Sequence, residues 1–296
     1  MKRSLFFAPV LVLAAAAAAP SGHAVASTFY ANQVASYTPG TAPTDSSGFS
    51  SYTQSGNAAL GPLAPVTDTY NDILTPFNGP YLPTQLVAVG DGGTLELHLA
   101  EAAGVSGVTI GVHTIASLND QYYASTNPAP AAGTNFNPAQ TLQENSYGVN
   151  PSADVQVSEN GATWVDLGTI TFNNPSNYYA DVSGPYATTA GTTPANFGQP
   201  FTGTLASFNG LDFQQTLAQL NGSAGGTWLN LTPAANAGLT GVNYIKFNVP
   251  TGAVIPLYVD AVVGTNASIP EPATVAFLAV GALALSLRRR RSGRTA

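Results

Sequence analysis

The chain predicts an all-β fold, an antiparallel β-sandwich of the jelly-roll kind with one short helix. Three observations carry this expectation. Apolar residues recur with a period of two, turn-forming residues punctuate the chain, and helical patterns do not alternate with the strands. Leu95, Leu97 and Leu99 alternate within Gly93–Leu99, behind the turn Asp91-Gly92-Gly93. Val108–Val112 repeats the pattern. Asn160-Gly161 is a strong hairpin signal, because a two-residue turn needs positive φ at its central positions. It joins Asp154–Glu159 to Ala162–Leu167. Thr169–Phe172 reads as a further strand. Ile245, Phe247 and Val249 alternate, and so do Ile255, Leu257, Val259, Ala261 and Val263. The helix follows Asp212, a capping residue, with Phe213, Leu217 and Leu220 on one stripe and Gly222 just past its end. Asn119–Asn150 and Asn173–Phe208 show no strand pattern, although unstructured loops that long are unusual in a compact domain.

Composition narrows the chemistry. The 296 residues contain no cysteine, which excludes disulfides, thiolate metal sites and cysteine nucleophiles. Of eight basic residues, Lys2 and Arg3 open the chain, and Arg288, Arg289, Arg290, Arg291 and Arg294 close it. Between them, fifteen acidic residues face the single Lys246, a balance of about −14. Such a body repels nucleic acid and anionic lipid and suits divalent cations or neutral polymers, or it simply stays soluble.

The ends divide the chain into residues 1–26, 27–267 and 268–296. The first segment has a charged start, an apolar run Leu5–Ala19 and a small-residue ending Ala24-Val25-Ala26. It reads as a signal peptide cut by signal peptidase between Ala26 and Ser27. At the other end, Pro270-Glu271-Pro272 precedes an apolar stretch, residues 273–287, and the Arg288–Arg291 cluster. As a helix, the fifteen apolar residues cover about 22 Å, short of a ~30 Å hydrocarbon core, yet flanking arginines can hold a short inner-membrane span. The positive-inside rule keeps the arginines cytoplasmic and puts Pro-Glu-Pro outside. This three-part tail resembles the PEP-CTERM sorting signal of Gram-negative bacteria. The resemblance implies recognition by an exosortase, a membrane-embedded cysteine transpeptidase. The precursor would cross the inner membrane transiently, then reach the cell surface or extracellular matrix of an exopolysaccharide-forming, biofilm-building bacterium.

Val155–Leu167 resembles a hairpin of discoidin-like, galactose-binding-like jelly rolls, with Asn160 where an Asp is usual. That implies a sandwich whose end loops can bind sugars. The same folds often place a structural calcium near an acid of a late strand, so the resemblance nominates Asp260, alternatively a solvated polar-face residue. The body is also similar to exported proteins bearing the same tail, through Ala59–Pro62, Thr75–Asn78, Ile170–Tyr179 and Gly222–Trp228.

Candidate sites are few. The adjacent pairs Tyr122-Tyr123 and Tyr178-Tyr179 cannot both face inward in a strand, so one of each is a candidate sugar-stacking ring. Trp164 and Trp228 are further rings, equally suited to a core. His98 falls on the polar face of its strand, and His113 follows the next. They meet only if those strands are neighbours, and a zinc site needs a third ligand. No G-x-S-x-G, H-E-x-x-H or phosphate-cradling loop is present. These features point to a non-catalytic exported surface or matrix protein, with no required cofactor. The alternatives are a carbohydrate-binding sandwich and a hydrolase with unrecognised carboxylates.

Overall fold

The computed structural model describes residues 27–42, 49–53, 55–61, 73–80, 82–118 and 151–266. The terminal segments expected to direct export, apart from Ser27, and Tyr122-Tyr123 lie outside them. Among the described residues, nine strands build the body: β1 (Thr28–Thr38), β2 (Val87–Val89), β3 (Thr94–Ala103), β4 (Val108–Thr114), β5 (Ser152–Ser158), β6 (Val165–Thr171), β7 (Thr227–Asn230), β8 (Val242–Asn248) and β9 (Leu257–Thr265). Every strand pairing is antiparallel. One sheet runs β6-β5-β8-β3-β1, and the other runs β1-β9-β4-β7 with β2 also on β9.

β1 belongs to both sheets. Its first residues, Thr28–Tyr30, pair with β9, and the rest pairs with β3. Register shifts between Ala31 and Gln33 and between Val34 and Ser36 mark bulges, which bend a strand and let it turn the corner between sheets. The principal core lies between the sheets. Leu95, Leu97 and Leu99 of β3, Val155 and Val157 of β5 and Phe247 of β8 face Ile110 and Val112 of β4 and Leu257, Val259 and Val262 of β9. The expected all-β antiparallel architecture is therefore present.

A third layer covers the outer face of the β9 sheet. Its residues come mainly from 176–224, which includes most of the stretch 173–208 without strand pattern and the expected helix, joined by Ile73, Phe77 and Leu118. They form a second core around Phe201, Phe208, Phe213, Leu217 and Leu220. Isolated bridges such as Ser176↔Gly225 and Tyr179↔Pro194 hold this cap without regular strands. A smaller cluster of Phe49, Leu86, Ala88, Ile115 and Tyr258 covers more of the same face. All nine residues of β9 are consequently buried.

The expected helix is α1 (Phe213–Leu220). Asp212 accepts from the Gln215 N–H while the Gln215 side chain accepts from the Asp212 N–H. Asn221 and Gly222 both take left-handed backbone at its end, and the glycine lies just past the helix as expected. A second helix, α2 (Thr232–Asn236), opens with Pro233 in its first turn and was not expected.

Two local expectations need correction. The β5–β6 hairpin exists, but its loop is wider than a two-residue turn: Val157 pairs with Val165, and Gly161 rather than Asn160 takes positive φ. Ser158 Oγ accepts from the N–H groups of Asn160 and Gly161, and Asn160 Oδ1 accepts from those of Ala162 and Thr163. These bonds stabilise the longer path. The alternation in β9 also breaks. His113 pairs with Ala261 and Thr114 with Val259, so Asp260 is the extra residue of a bulge. Beyond it Val262, not Ala261 or Val263, joins the inter-sheet core.

These packing roles predict a graded response in urea unfolding of the exported protein. Leu97→Ala, in the core centre, should cost about 2–5 kcal/mol. Asp212→Ala, losing only a helix cap, should cost about 1 kcal/mol. Equal losses would contradict the placement of the core.

Candidate functional site

The buried polar groups concentrate where the cap meets the β9 sheet. Asp260, at its bulge, turns away from the inter-sheet core and is only 4% exposed. The Tyr178 hydroxyl, from the cap, donates to its Oδ2 at 2.5 Å. Burial pushes the Asp260 carboxyl up to about 8, against a smaller opposing effect of the Tyr178 hydrogen bond. At neutral pH the carboxyl is therefore mainly protonated. Burial, followed by the neighbouring Asp260 charge and hydrogen bond, raises the Tyr178 phenol well above its usual range.

On the adjacent strand, His113 is fully buried and its Nδ1 lies 3.1 Å from Ser176 Oγ of the cap. Burial lowers the imidazole to about 3, so it stays neutral. Phe197 packs against both His113 and Tyr178, with ring centroids 5.1 and 5.8 Å away. Gly226 is required beside it: its φ is +75°, and a Cβ there would approach His113 Cε1 to 2.9 Å. Trp228 Nε1 donates to the Gly225 carbonyl at 2.9 Å, and Thr75 Oγ1 donates to that of Pro185 at 2.7 Å, stitching the cap further. His113 Nε2 and both polar atoms of the Asn177 amide are buried without a protein partner.

This arrangement settles where several sequence candidates lie. Asp260 is not a solvated polar-face residue, because the cap covers it. Among the described residues, no group of three or more His, Cys, Asp or Glu side chains could hold a metal ion. Tyr178 is buried and Tyr179 half-buried against the second core, so neither forms an open stacking platform. His98 and His113 do not meet, since β3 and β4 lie in opposite sheets. Sequence reasoning missed the Ser176–His113 and Tyr178–Asp260 pairs. The Asn-Asn-Pro-Ser-Asn-Tyr-Tyr stretch supplies both cap partners, but nothing in its spacing names the strands they meet.

The outer face of the other sheet carries a half-buried counterpart. Lys246 bridges to Glu96 at 3.0 Å and places its ammonium 3.7 Å from the Trp164 ring centroid. Tyr244 packs between Trp164 and His98, with centroids 6.5 and 4.7 Å away. His98 Nδ1 also lies 3.1 Å from Asn32 Oδ1. The lone basic side chain of the body is thus engaged on this face.

The strand ends frame the processing segments. Asn266, immediately after β9, donates its N–H to the Ser27 carbonyl at 3.2 Å, and its side chain donates to Ser27 Oγ and Glu101 Oε2. Both chain ends of the body therefore sit side by side. The body is an antiparallel sandwich whose last strand leads into the C-terminal segment. Residues 268–291 match the PEP-CTERM protein-sorting motif. The match includes Pro270, Glu271, Pro272 and Arg288–Arg291, so the chain is an exported protein carrying a signal for exosortase sorting. A comparison with curated proteins finds no match.

The enclosed carboxyl leads to a metal test. Calcium and magnesium at matched ionic strength should shift the melting temperature equally, because a protonated, tyrosine-bonded Asp260 offers no open oxygen cage. A calcium-specific shift that Asp260→Asn removes would overturn this geometry as the working state. Tyr178→Phe, which strips the carboxyl of its donor, should cost about 1–3 kcal/mol in urea unfolding.

Proposed function

We propose that the mature protein is a non-catalytic component of the cell surface or extracellular matrix of an exopolysaccharide-producing bacterium, sorted there by exosortase. The observation that carries this reading is the sorting motif beginning two residues beyond Asn266, the last described residue of the body. The hydrogen bonds of Asn266 to Ser27 and Glu101 support a body that is complete upstream of the motif. Signal peptidase would cut before Ser27, residues 273–287 would hold the precursor in the inner membrane, and exosortase would act near Pro270-Glu271-Pro272.

The non-catalytic part of the reading rests on burial. The serine–histidine contact that resembles a nucleophile and its base is Ser176–His113, yet these residues are 2% and 0% exposed. A nucleophile enclosed between the seated cap and a sheet does not meet a polymeric substrate while the cap is seated. The acidic composition of the body favours association with neutral glycan over nucleic acid.

Intact-mass measurement on the protein recovered from cells with and without an exosortase tests the sorting step. Expected is a mature species that starts at Ser27 and has lost Arg288–Arg291 only when exosortase is present. A surface species that keeps the arginine cluster in exosortase-positive cells would refute the proposal.

A further inference from the structure

We propose that the cap is a pH-gated layer: it stays seated on the β9 sheet while Asp260 is protonated and lifts as that carboxyl ionises. The proposal goes beyond delivery to the cell surface and begins from geometry. The cap has its own hydrophobic core, distinct from the core between the sheets. Among the contacts that join it to the sheet are two buried polar pairs, Tyr178–Asp260 and Ser176–His113. Lifting the cap hydrates both sheet residues at once.

Among the described residues, the surroundings of Asp260 contain no compensating charge. The neighbouring β4 supplies His113, the cap supplies Tyr178, and β9 itself supplies Tyr258 two residues back. The three residues of β2, Val87, Ala88 and Val89, supply no titratable group. The described Lys246–Glu96 ion pair lies on the other sheet. An ionised Asp260 beneath the cap would rely on one phenol hydroxyl, whereas in the lifted state it has water.

The direction of the pH effect follows from proton counts. In the seated state Asp260 titrates near 8, and in the lifted state it returns towards its ordinary 3.8. Lifting therefore releases a proton between those values and becomes easier as pH rises. His113 titrates near 3 when seated and near its ordinary 6.5 when hydrated. Lifting takes up a proton between those values and becomes easier as pH falls. Between about pH 4 and 6.5 the two effects cancel. From about 6.5 to 8 Asp260 dominates, and the lifted population grows about eightfold, because each group is half-titrated at one end of that interval. Above about 8 it levels off.

Native-state hydrogen exchange on the mature protein purified from the exporting cell reads this population. Exchange rates are divided by the intrinsic rates at each pH, in the regime where opening is at equilibrium. Peptides from 176–187 and 213–224 should lose about eightfold protection between pH 6.5 and 8, while the β8 peptide 242–248 keeps its protection. Asp260→Asn retains an oxygen to accept from Tyr178 but cannot ionise, so its cap protection should stay flat across that interval. If Asp260→Asn does not fold, the contrast between cap and β8 in the wild type decides alone. Equal loss in both regions, unchanged cap protection in the wild type, or an Asp260→Asn cap that loses protection like the wild type would each overturn the proposal.

Discussion

The rest of the structure depends on the burial of β9 on both faces. A strand at the edge of a two-layer sandwich can send alternate residues to water, but β9 lies between β4 and the β1–β2 side of its sheet, beneath the cap. Its backbone is satisfied by pairing, and its side chains must be apolar or find partners within the protein. Asp260 is the charged-type residue in this strand, and Tyr178 meets it from the cap. The same enclosure acts on His113 one strand away, which Ser176 meets from the same stretch of cap. Local irregularity follows from these needs. The bulge at Asp260 changes which side chains reach the inter-sheet core. Gly226 leaves room for the imidazole that the cap must cover.

The legible part of the sequence was the part governed by one neighbouring layer. β3, β5 and β8 face the core on one side and a more exposed surface on the other, so their alternation is clean. The helix was legible because Asp212 and the Phe213, Leu217 and Leu220 stripe act within a few residues. β1 was not legible, since two bulges interrupt its alternation as it passes between sheets. Nor was the phase of β9, where an apolar run buried on both faces gives no sign of which side each residue takes. The cap was hardest to read: its bridges are isolated, and its core is assembled from residues far apart in the chain. The burial of Asp260 was hidden for the same reason, because the covering residue lies 82 positions away.

Charge is distributed in keeping with this layering. The acids with exposed settings are satisfied locally, as Asp181 shows. Its carboxylate accepts from the backbone and hydroxyl groups of Thr192 and Thr193, which holds it at about 2. Lys246 stands on the outer face of the sheet remote from the cap, between Glu96 and Trp164. The buried junction instead uses neutral pairs. Neutral groups avoid the desolvation cost of an enclosed ion pair, but they make seating depend on the protonation state of a carboxyl and an imidazole.

The same strand that requires the cap also carries the route of export. β9 pairs with β1 through Thr28–Tyr30, and Asn266 closes the seam on Ser27 and Glu101. The sorting motif starts two residues later, at 268. Pairing in β9 is therefore set by residues upstream of the motif, with β4, β2 and β1 fixing its register. A strand anchored in this way can lead into a membrane-directed tail without drawing its stability from that tail. Because β1 begins at the same seam, Ser27 and Asn266 meet at one place. The cap interface lies at the opposite half of β9, around Asp260, away from the residues that close this seam.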